Sequence, residues 1–340
     1  MSSSFSDLAD RLPAATVFVE VGAEGGHRRS VGGVTVLERV LRGLAREGVV
    51  EAQVAATAIE LGPGVPLQIE WVGPESVAPE GWRVVRGDEL MGRRIVDEAE
   101  RLAAEWAICR GLTTSYQGVF DSLINGTLSV PISRLLSYTP VRPNHVTFVA
   151  SLIGLTAGGL LLGAEGWRVA LGGLLLQTQI VLDCVDGQLA RMRFQGSKLG
   201  QWFDNVADDV IDITFVACAG LALGGPWAAV GLAAGAARAW GQGLVFHEVY
   251  RRTGTGDVFS FRIWFEREKA SADEVFDRRS LANYVRALGR RDGYVFIWML
   301  LCLGGQLEVV VVYGAVLSAM IGVLMTLHLF LCEPLPRRGG

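Results

Sequence analysis

The sequence has few residues of the kinds that build disulfide frameworks or zinc sites. Its five cysteines are scattered, odd in number and without CxxC spacing, and its four histidines show no ligand spacing. We therefore expect neither disulfides nor zinc, but reduced and mostly buried cysteines. A net charge of −4 and a pI of about 5.7 argue against a nucleic-acid partner. The first residues lack a basic stretch followed by an apolar run, so no signal peptide is expected.

Apolar sequence is abundant instead. Half of the residues are hydrophobic, the mean hydropathy is +0.34, and the first 140 residues are more polar than the rest. Six stretches after them are long and apolar enough for membrane spans: 144–164, 168–190, 201–224, 226–248, 292–307 and 309–332. The predicted fold is an α-helical integral membrane protein with six transmembrane helices, preceded by a small soluble α/β domain. The predicted boundaries are 1–112 for the α/β domain, 113–142 for an interfacial amphipathic helix and 143–335 for the membrane domain.

Positive charge is unevenly distributed among the connections between these stretches. AEGWR, GGPW and GGQLE carry little of it, whereas RMRFQGSK, the stretch from Tyr250 to Arg291 and the C-terminal EPLPRRGG are long or basic. An excess of Lys and Arg marks the cytoplasmic side of a membrane. We therefore expect an integral protein of the cytoplasmic (inner) membrane. Both termini, the α/β domain and the acidic stretch of the next paragraph are expected on its cytoplasmic side.

Four aspartates dominate the stretch DCVDGQLARMRFQGSKLGQWFDNVAD. Asp183 and Asp186 are three residues apart, and Asp204 and Asp208 are four apart, so each pair shares one face of a helix. The polar, glycine-containing MRFQGSKLG between the pairs predicts a turn that brings all four acids to one centre. Carboxylates beside membrane-grade apolar sequence are very costly without compensation, so a bound cation is expected.

Oxygen ligands of this kind select a hard ion, Mg²⁺ or Mn²⁺, and we predict two ions. Asp183, Asp186 and Asp204 are the expected ligands. Asp208 is expected to complete the second metal position and to act as the general base. Such a centre suits displacement at phosphorus, because the cations neutralise a diphosphate and orient it for in-line attack. Asp212 continues the same helix face, and Arg238 is a candidate partner for it in an ion pair.

The spacing D-x2-D-G-x2-A-R-x8-G-x3-D-x3-D resembles the signature of the CDP-alcohol phosphotransferases, also called CDP-alcohol phosphatidyltransferases. All of its positions are filled here: Asp183, Asp186, Gly187, Ala190, Arg191, Gly200, Asp204 and Asp208. The resemblance implies that Asp183, Gly187, Ala190, Arg191 and Gly200 bind the CDP group, the small residues by letting the nucleotide approach the backbone. Small residues at this spacing equally allow close packing of membrane helices.

The segment TPVRPNHVT also resembles the family, at the start of its first membrane helix. Asn144 and Thr147 lie one turn apart there and are candidates for contact with the nucleotide, although Asn144 is equally an ordinary N-cap. Upstream, residues 118–140 predict an amphipathic helix on the cytoplasmic leaflet, broken near Pro131. Arg134 on this helix, and Arg290 and Arg291 before the fifth span, are weaker candidates for binding an anionic acceptor. Snorkelling or positive-inside topology explains these arginines equally well.

The family resemblance implies transfer of a phosphatidyl or other phospho-alcohol group from a CDP-alcohol to a hydroxyl acceptor with release of CMP. CDP-diacylglycerol is the expected donor, membrane lipids are expected partners, and a homodimer is implied. An inositol phosphate is the favoured acceptor; glycerol 3-phosphate, serine or a soluble polyol phosphate is the alternative. A divalent-cation transporter is the competing hypothesis from another class, since buried acids also mark ion pathways. A catalytically inactive membrane scaffold is the third.

The α/β domain shows a weaker resemblance. ATVFVEV predicts a strand, VTVLERVLRGLAREGV a helix and EAQVAATAIEL a second strand, which together favour a partly parallel sheet. VGGVTVLERVLRGL resembles a segment of the sugar nucleotidyltransferases. The loop VGAEGGHRRSVGG keeps glycines and an arginine, Arg28 or Arg29, that suit a phosphate, but it lacks that family's pattern and its lysine. A degenerate scaffolding or regulatory domain is therefore favoured over an active transferase.

Overall fold

The computed structural model describes residues 16–114, 118–253 and 288–331. The chain divides into two compact units. One contains the residues up to Gly111 together with Ser137–Thr139, and the other contains the remainder. Each unit has its own hydrophobic core.

The first unit is built on a four-stranded sheet of order β5-β4-β1-β6, in which all three strand pairings are parallel. Its strands are β1 Thr16–Glu20, β4 Glu51–Ala55, β5 Gln68–Val72 and β6 Arg83–Arg86. Two short antiparallel pairs accompany the sheet: β2 Ser30–Val31 with β3 Val34–Thr35, and β7 Glu89–Leu90 with β8 Arg93–Arg94. Val17, Phe18 and Val19 on the central strand β1 are all buried, which is typical of a parallel strand covered on both faces.

Two helices complete this unit: α1 Val36–Arg46 and α2 Glu98–Thr114. The Thr35 side chain caps α1 by accepting from the Glu38 N–H, and Leu37, Leu41 and Leu44 form its buried stripe. The expected α/β character is confirmed, but the predicted second strand was too long. It ends at Ala55 because the Ala56 N–H turns back onto the Val54 carbonyl at 2.9 Å and leaves the ladder.

The second unit is helical. Its elements are a π-helical turn at Asp121–Asn125, α3 Gly126–Leu136, α4 Pro143–Leu161, α5 Gly166–Arg193, α6 Lys198–Leu223, α7 Gly225–Thr253, α8 Arg291–Leu303 and α9 Leu307–Leu331. The last six coincide with the six predicted spans. Three of them, α4, α5 and α9, are long and apolar enough to cross a membrane. The remaining three do not meet this criterion of length and apolar composition. Helix α6 contains several aspartates, α7 is rich in glycine and alanine, and α8 has only 13 residues.

Helix α3 turns its polar face inward. Asn125 accepts from Gln177 at 2.6 Å, and Gln188 bonds both Ser129 at 2.7 Å and Ser133 at 2.6 Å. The predicted break near Pro131 was wrong, because these bonds on both sides of the proline hold the helix against α5 while only one backbone bond is lost. The opposite face exposes the leucines and isoleucine of the predicted amphipathic pattern: Leu123, Leu128, Ile132 and Leu135.

Helices α6 and α7 cross at a pair of glycines. A methyl group added at Gly231 would lie 2.9 Å from both the Gly220 Cα and the Val216 carbonyl oxygen, so the two backbones are too close for any side chain. Both neighbours are backbone atoms, which cannot move aside as a flexible side chain can. Small residues at helix crossings give this kind of close packing in membrane proteins.

We predict that Gly231→Ala lowers the thermal midpoint of the detergent-solubilised protein. Overpacking costs about 1–3 kcal/mol, and the better helix propensity of alanine returns only about 1 kcal/mol. Gly243→Ala on the same helix is the matched control, since a methyl group there meets nothing within 4 Å among the described residues. Equal midpoints for the two variants would contradict the assignment of this crossing as tightly packed.

Candidate active site

The acidic stretch forms the end of α5, a four-residue turn and the first half of α6. The turn is possible because Phe194 adopts a left-handed conformation with φ of 57°, and Ser197 then caps α6 by accepting from the Gly200 N–H. Arg193 closes the turn from the side by donating to the carbonyl oxygens of Leu136 and Val141. The turn predicted between the two aspartate pairs is thereby confirmed. Helix α4 packs against both α5 and α6, more closely than these two pack on each other.

Three of the four predicted aspartates converge between α5 and α6. Carboxylate oxygens of Asp183, Asp186 and Asp204 all lie within 4.8 Å of one another. The Thr147 hydroxyl donates to Asp186 at 2.5 Å and fixes the buried carboxylate from α4. Asp204 Oδ1 is buried and has no hydrogen-bond partner among the described residues.

These three residues fit a divalent cation. Three carboxylates within a few ångströms repel one another, and a buried acceptor oxygen without a donor is costly, so a positive ligand would relieve both. The donor set is all oxygen, which suits Mg²⁺ or Mn²⁺ better than a softer metal. With a cation bound, Thr147 would be an outer partner that orients the carboxylate of Asp186.

Asp208 lies outside this group of three. Its Oδ2 pairs with Arg291 Nη1 at 2.7 Å, and its Oδ1 accepts from Gln179 Nε2 at 3.1 Å. Gln179 Oε1 in turn accepts from Arg291 Nη2 at 2.8 Å, so the three side chains form a closed ring of hydrogen bonds. The sequence predicted Asp208 as a ligand in the same centre, whereas the structure pairs it with a cation of the chain itself.

A second network lies deeper on the same face of α6. Arg238 pairs with Asp212 at 2.8 Å and approaches Asp209 at 3.6 Å, so the predicted Arg238–Asp212 ion pair is confirmed. Tyr294 donates to Asp212 at 2.5 Å, and Gln242 donates to Asp209 at 2.7 Å. Both acids are thus satisfied by partners from α7 and α8, which fits a structural role.

The residues assigned to the CDP group lie on α4, α5 and α6 near the cluster. A methyl group added at Gly187 would fit without a clash, because its three nearest atoms belong to the Arg191 guanidinium, at 3.5–3.9 Å. Ala190 lies on the next turn, and Arg191 is exposed. An added methyl group at Gly200 would lie 3.1 Å from Asn144 Oδ1, so this glycine lets the beginnings of α4 and α6 approach each other.

The three arginines assigned to the acceptor have different surroundings. Arg134 is half-buried on α3. Arg290 lies 3.4 Å from Asp292 through its Nε. Arg291 is 19% exposed and is engaged with Asp208, as described above.

Gln179 and Asp292 were not among the predicted site residues. Gln179 precedes Asp183 by four residues and therefore shares its helix face, a signal that the spacing alone could have given. Asp292 accepts from the Phe120 N–H at 3.0 Å and so caps the turn before α3 from 172 residues away in the chain. No local pattern predicts such a long-range contact.

The glycine-rich loop of the first unit packs closely against other residues of that unit. An added methyl group at Gly22 would lie 2.6 Å from Asp88 Oδ2, and one at Gly26 would collide with the Ile95 carbonyl. Arg29 donates to the Val96 carbonyl at 3.0 Å, and Arg28 donates to His27 at 3.3 Å. The assignment of this unit as a degenerate nucleotidyltransferase-like domain stays a prediction.

We predict that Thr147→Val weakens binding of Mn²⁺ by about tenfold or more, because the loss of an orienting partner typically reduces metal affinity by about 10–100-fold. Thr156→Val is the matched control: Thr156 lies on the same helix and is exposed, and within the described residues its side chain bonds only the Leu152 carbonyl. The dissociation constants would be measured by electron paramagnetic resonance of free Mn²⁺. An unchanged constant for Thr147→Val would exclude Asp186 as a ligand that Thr147 orients.

Comparison with known proteins identifies the family to which the region around the cluster belongs. Residues 141–321, just over half of the chain, match the CDP-alcohol phosphatidyltransferase family. The chain is 27% identical over 220 residues to the bifunctional IPC transferase and DIPP synthase of Aquifex aeolicus, covering 64% of this chain and 46% of that protein. The Archaeoglobus fulgidus protein of the same name is 26% identical over 213 residues, covering 61% of this chain and 36% of that protein.

A shorter match links the chain to a phosphatidylinositol phosphate synthase of Corynebacterium glutamicum. The two are 36% identical over 86 residues, which cover 24% of this chain and 36% of that protein. The chain thus spans less than half the length of each of these three relatives. The match of more than half of the chain establishes the family, and the relatives are transferases and synthases by name. This chain belongs to the CDP-alcohol phosphatidyltransferases, a family of transferases of phospholipid synthesis.

Proposed function

We propose that the chain transfers a phosphatidyl group from CDP-diacylglycerol to a hydroxyl of an inositol phosphate and releases CMP. The observation that carries this proposal is the cluster of Asp183, Asp186 and Asp204, with Asp208 one turn further along α6. The names of the relatives favour inositol phosphate as acceptor, because one of them is a phosphatidylinositol phosphate synthase. Glycerol 3-phosphate or a soluble polyol phosphate is the alternative acceptor.

Asp183, Asp186 and Asp204 would hold the divalent cation, Mg²⁺ or Mn²⁺. When bound, such an ion neutralises the diphosphate of the donor and orients it for in-line attack. Thr147 keeps Asp186 in place, and the small residues Gly187 and Ala190 would let the nucleotide approach the backbone of α5. Arg191 is exposed next to Gly187 and would pair with a phosphate, while Asn144 and Gly200 form the adjoining wall.

Asp208 is the proposed general base. It takes the proton of the acceptor hydroxyl as that oxygen forms a bond to the phosphorus that carries the alcohol, and the bond from this phosphorus to CMP breaks. Each oxygen of a carboxylate has two acceptor sites, so the bonds to Arg291 and Gln179 leave capacity for the proton. Arg134 and Arg290 are the proposed contacts for the phosphate of the acceptor; a contribution of Arg291 stays a prediction.

We further propose that all six helices from α4 to α9 cross the membrane. The acids of α6 would then face the site, and its exposed residues Phe203, Val206 and Val210 would face lipid. The distribution of Lys and Arg favours a cytoplasmic site and cytoplasmic termini. The apolar face of α3 would lie in the cytoplasmic leaflet. A homodimer, implied by the family resemblance, belongs to the same proposal.

The transporter hypothesis is less well supported. An ion pathway needs acids at several depths of the membrane. Here the clustered acids lie within three turns of the connection between α5 and α6, and the deeper Asp209 and Asp212 are already paired with Arg238. The small residues Gly187 and Ala190 and the exposed Arg191 have no evident purpose in a cation pathway, whereas they suit the approach of a nucleotide donor.

The reaction is tested directly with purified protein in detergent, CDP-diacylglycerol and Mg²⁺. We expect CMP release with inositol phosphate, none after EDTA treatment, and a decrease of about 10²-fold or more in Asp208→Asn, the usual contribution of a general base. Free inositol, glycerol 3-phosphate and serine serve as competing acceptors. A preference for glycerol 3-phosphate would contradict inositol phosphate as the acceptor but leave the reaction class in place. Absence of CMP with every acceptor, in folded protein that binds Mn²⁺, would refute the proposed reaction.

Substitution of Gly187 separates substrate approach from helix packing. Gly187→Ala is expected to raise KM for the CDP donor about tenfold without lowering the thermal midpoint, because the methyl group occupies space that the nucleotide needs. Gly172→Ala on the same helix is the control, since its methyl group would lie 2.9 Å from the Ala157 carbonyl oxygen of α4. It is expected to lower the midpoint. A lower midpoint for Gly187→Ala with unchanged KM would assign Gly187 to packing.

A further inference from the structure

The turn that precedes α3 contains an aspartate to which the proposed reaction assigns no role. Asp121 is half-buried and begins the π-helical turn Asp121–Asn125, a rare conformation that is often found at functional sites. Its Oδ1 accepts from Asn125 Nδ2 at 2.8 Å and lies 3.8 Å from the Cys184 sulfur. Its Oδ2 makes no hydrogen bond with any residue that the structure describes. One carboxylate oxygen is therefore fixed, and the other is available to a ligand.

Two buried amides hold Asp121 in this orientation. Asn125 is fully buried and donates to Asp121, while its own Oδ1 accepts from Gln177 Nε2 at 2.6 Å. Helix capping does not explain the Asp121 carboxylate, because Asp292 Oδ2 already accepts from the N–H groups of Phe120 at 3.0 Å and Asp121 at 3.4 Å. The chain of hydrogen bonds from Gln177 through Asn125 thus orients a carboxylate that the turn does not need as a cap.

Asp121 lies close to the candidate metal centre and to the arginines at the start of α8. The charges of Arg290 and Arg291 act on its carboxylate, and the charges of Asp121 and Asp183 act on each other. Cys184, which contacts Asp121, is the residue after Asp183. A polyol phosphate presents hydroxyl donors beside an anionic phosphate, so an available carboxylate oxygen near arginines is complementary to both kinds of group.

We propose that Asp121 binds the acceptor by accepting a hydrogen bond from one of its hydroxyl groups that does not react. The inference rests on the proposed function, since it takes a polyol phosphate as the acceptor and Arg290 as a contact for its phosphate. An acceptor that lacks the bonded hydroxyl leaves the carboxylate without its partner, and such acceptors bind much more weakly. Asp121 therefore helps to determine which polyol phosphate is used.

The test measures KM for both substrates by CMP release from purified protein in detergent with Mg²⁺. Asp121→Ala is expected to raise KM for inositol phosphate about tenfold or more, the usual effect of losing a hydrogen bond to a charged group, and to leave KM for CDP-diacylglycerol unchanged. Asp121→Asn is expected to raise it less, because an amide still bonds a hydroxyl. Thr127→Val is the matched control, since Thr127 is exposed on the neighbouring turn and donates to the Leu123 carbonyl.

Inositol phosphates that each lack one hydroxyl distinguish direct contact from a structural role of Asp121. In wild-type protein, we expect removal of one particular hydroxyl to raise KM about tenfold or more. In Asp121→Ala, removal of the same hydroxyl is expected to have no further effect, because the contact is already lost. The dissociation constant for Mn²⁺, followed by electron paramagnetic resonance, is expected to be the same in both proteins. If another polyol phosphate is the preferred acceptor, the same comparison is made with it.

The outcomes separate this inference from the proposed function. An unchanged preference among these acceptors in Asp121→Ala would overturn the role of Asp121, and so would weaker Mn²⁺ binding, which would assign Asp121 to the metal centre. If Asp121→Ala does not fold, as judged by gel filtration, Asp121→Asn decides by the same comparison. Wild-type protein that releases no CMP with any acceptor would refute the proposed function and this inference together. CMP release with the same acceptor KM in both proteins would refute only this inference.

Discussion

The concentration of negative charge at the junction of α5 and α6 is the constraint on which the rest of the second unit depends. Asp183, Asp186, Asp204 and Asp208 belong to one apolar helical unit, and each uncompensated carboxylate there would be very costly. The structure compensates them in two ways. Asp208 is paired with Arg291, and the other three share a position that suits a divalent ion. Under the proposed function, the ion that compensates these carboxylates would also bind the diphosphate of the donor.

The surrounding elements fit this interpretation. Helix α4 supplies Thr147 to orient Asp186, α7 supplies Arg238 to Asp212, and α8 supplies both Arg291 and Tyr294. Ser129 and Ser133 of α3 are hydrogen-bonded to Gln188 on α5, so the helix that carries Asp183 and Asp186 is held from a second side. Each helix near the site thus contributes a polar bond as well as apolar packing, which explains how polar residues are tolerated in so apolar a sequence.

Much of this could be predicted from the sequence. The spacing of the aspartates predicted the three acids that cluster and indicated the family. The glycine-containing segment between the two pairs predicted the turn, and the hydropathy predicted six helices in their observed order. Three features could not be predicted. Pro131 continues a helix because Ser129 and Ser133 are bonded to a distant glutamine. Asp208 is paired with Arg291, 83 residues away by their numbers, and Gln179 joins them only through tertiary packing. Long-range contacts of this kind leave no local pattern.

The central claim is that the three-carboxylate cluster binds the cation that meets the donor's diphosphate. The most direct measurement is the relaxation of the ³¹P signals of a CDP-alcohol donor by Mn²⁺ bound to the protein. The account predicts strong relaxation of both phosphorus signals in wild-type protein and its loss in Asp204→Asn, whose carboxylate oxygen is the buried acceptor without a partner among the described residues. Unrelaxed signals from a donor that is bound together with Mn²⁺ would contradict it.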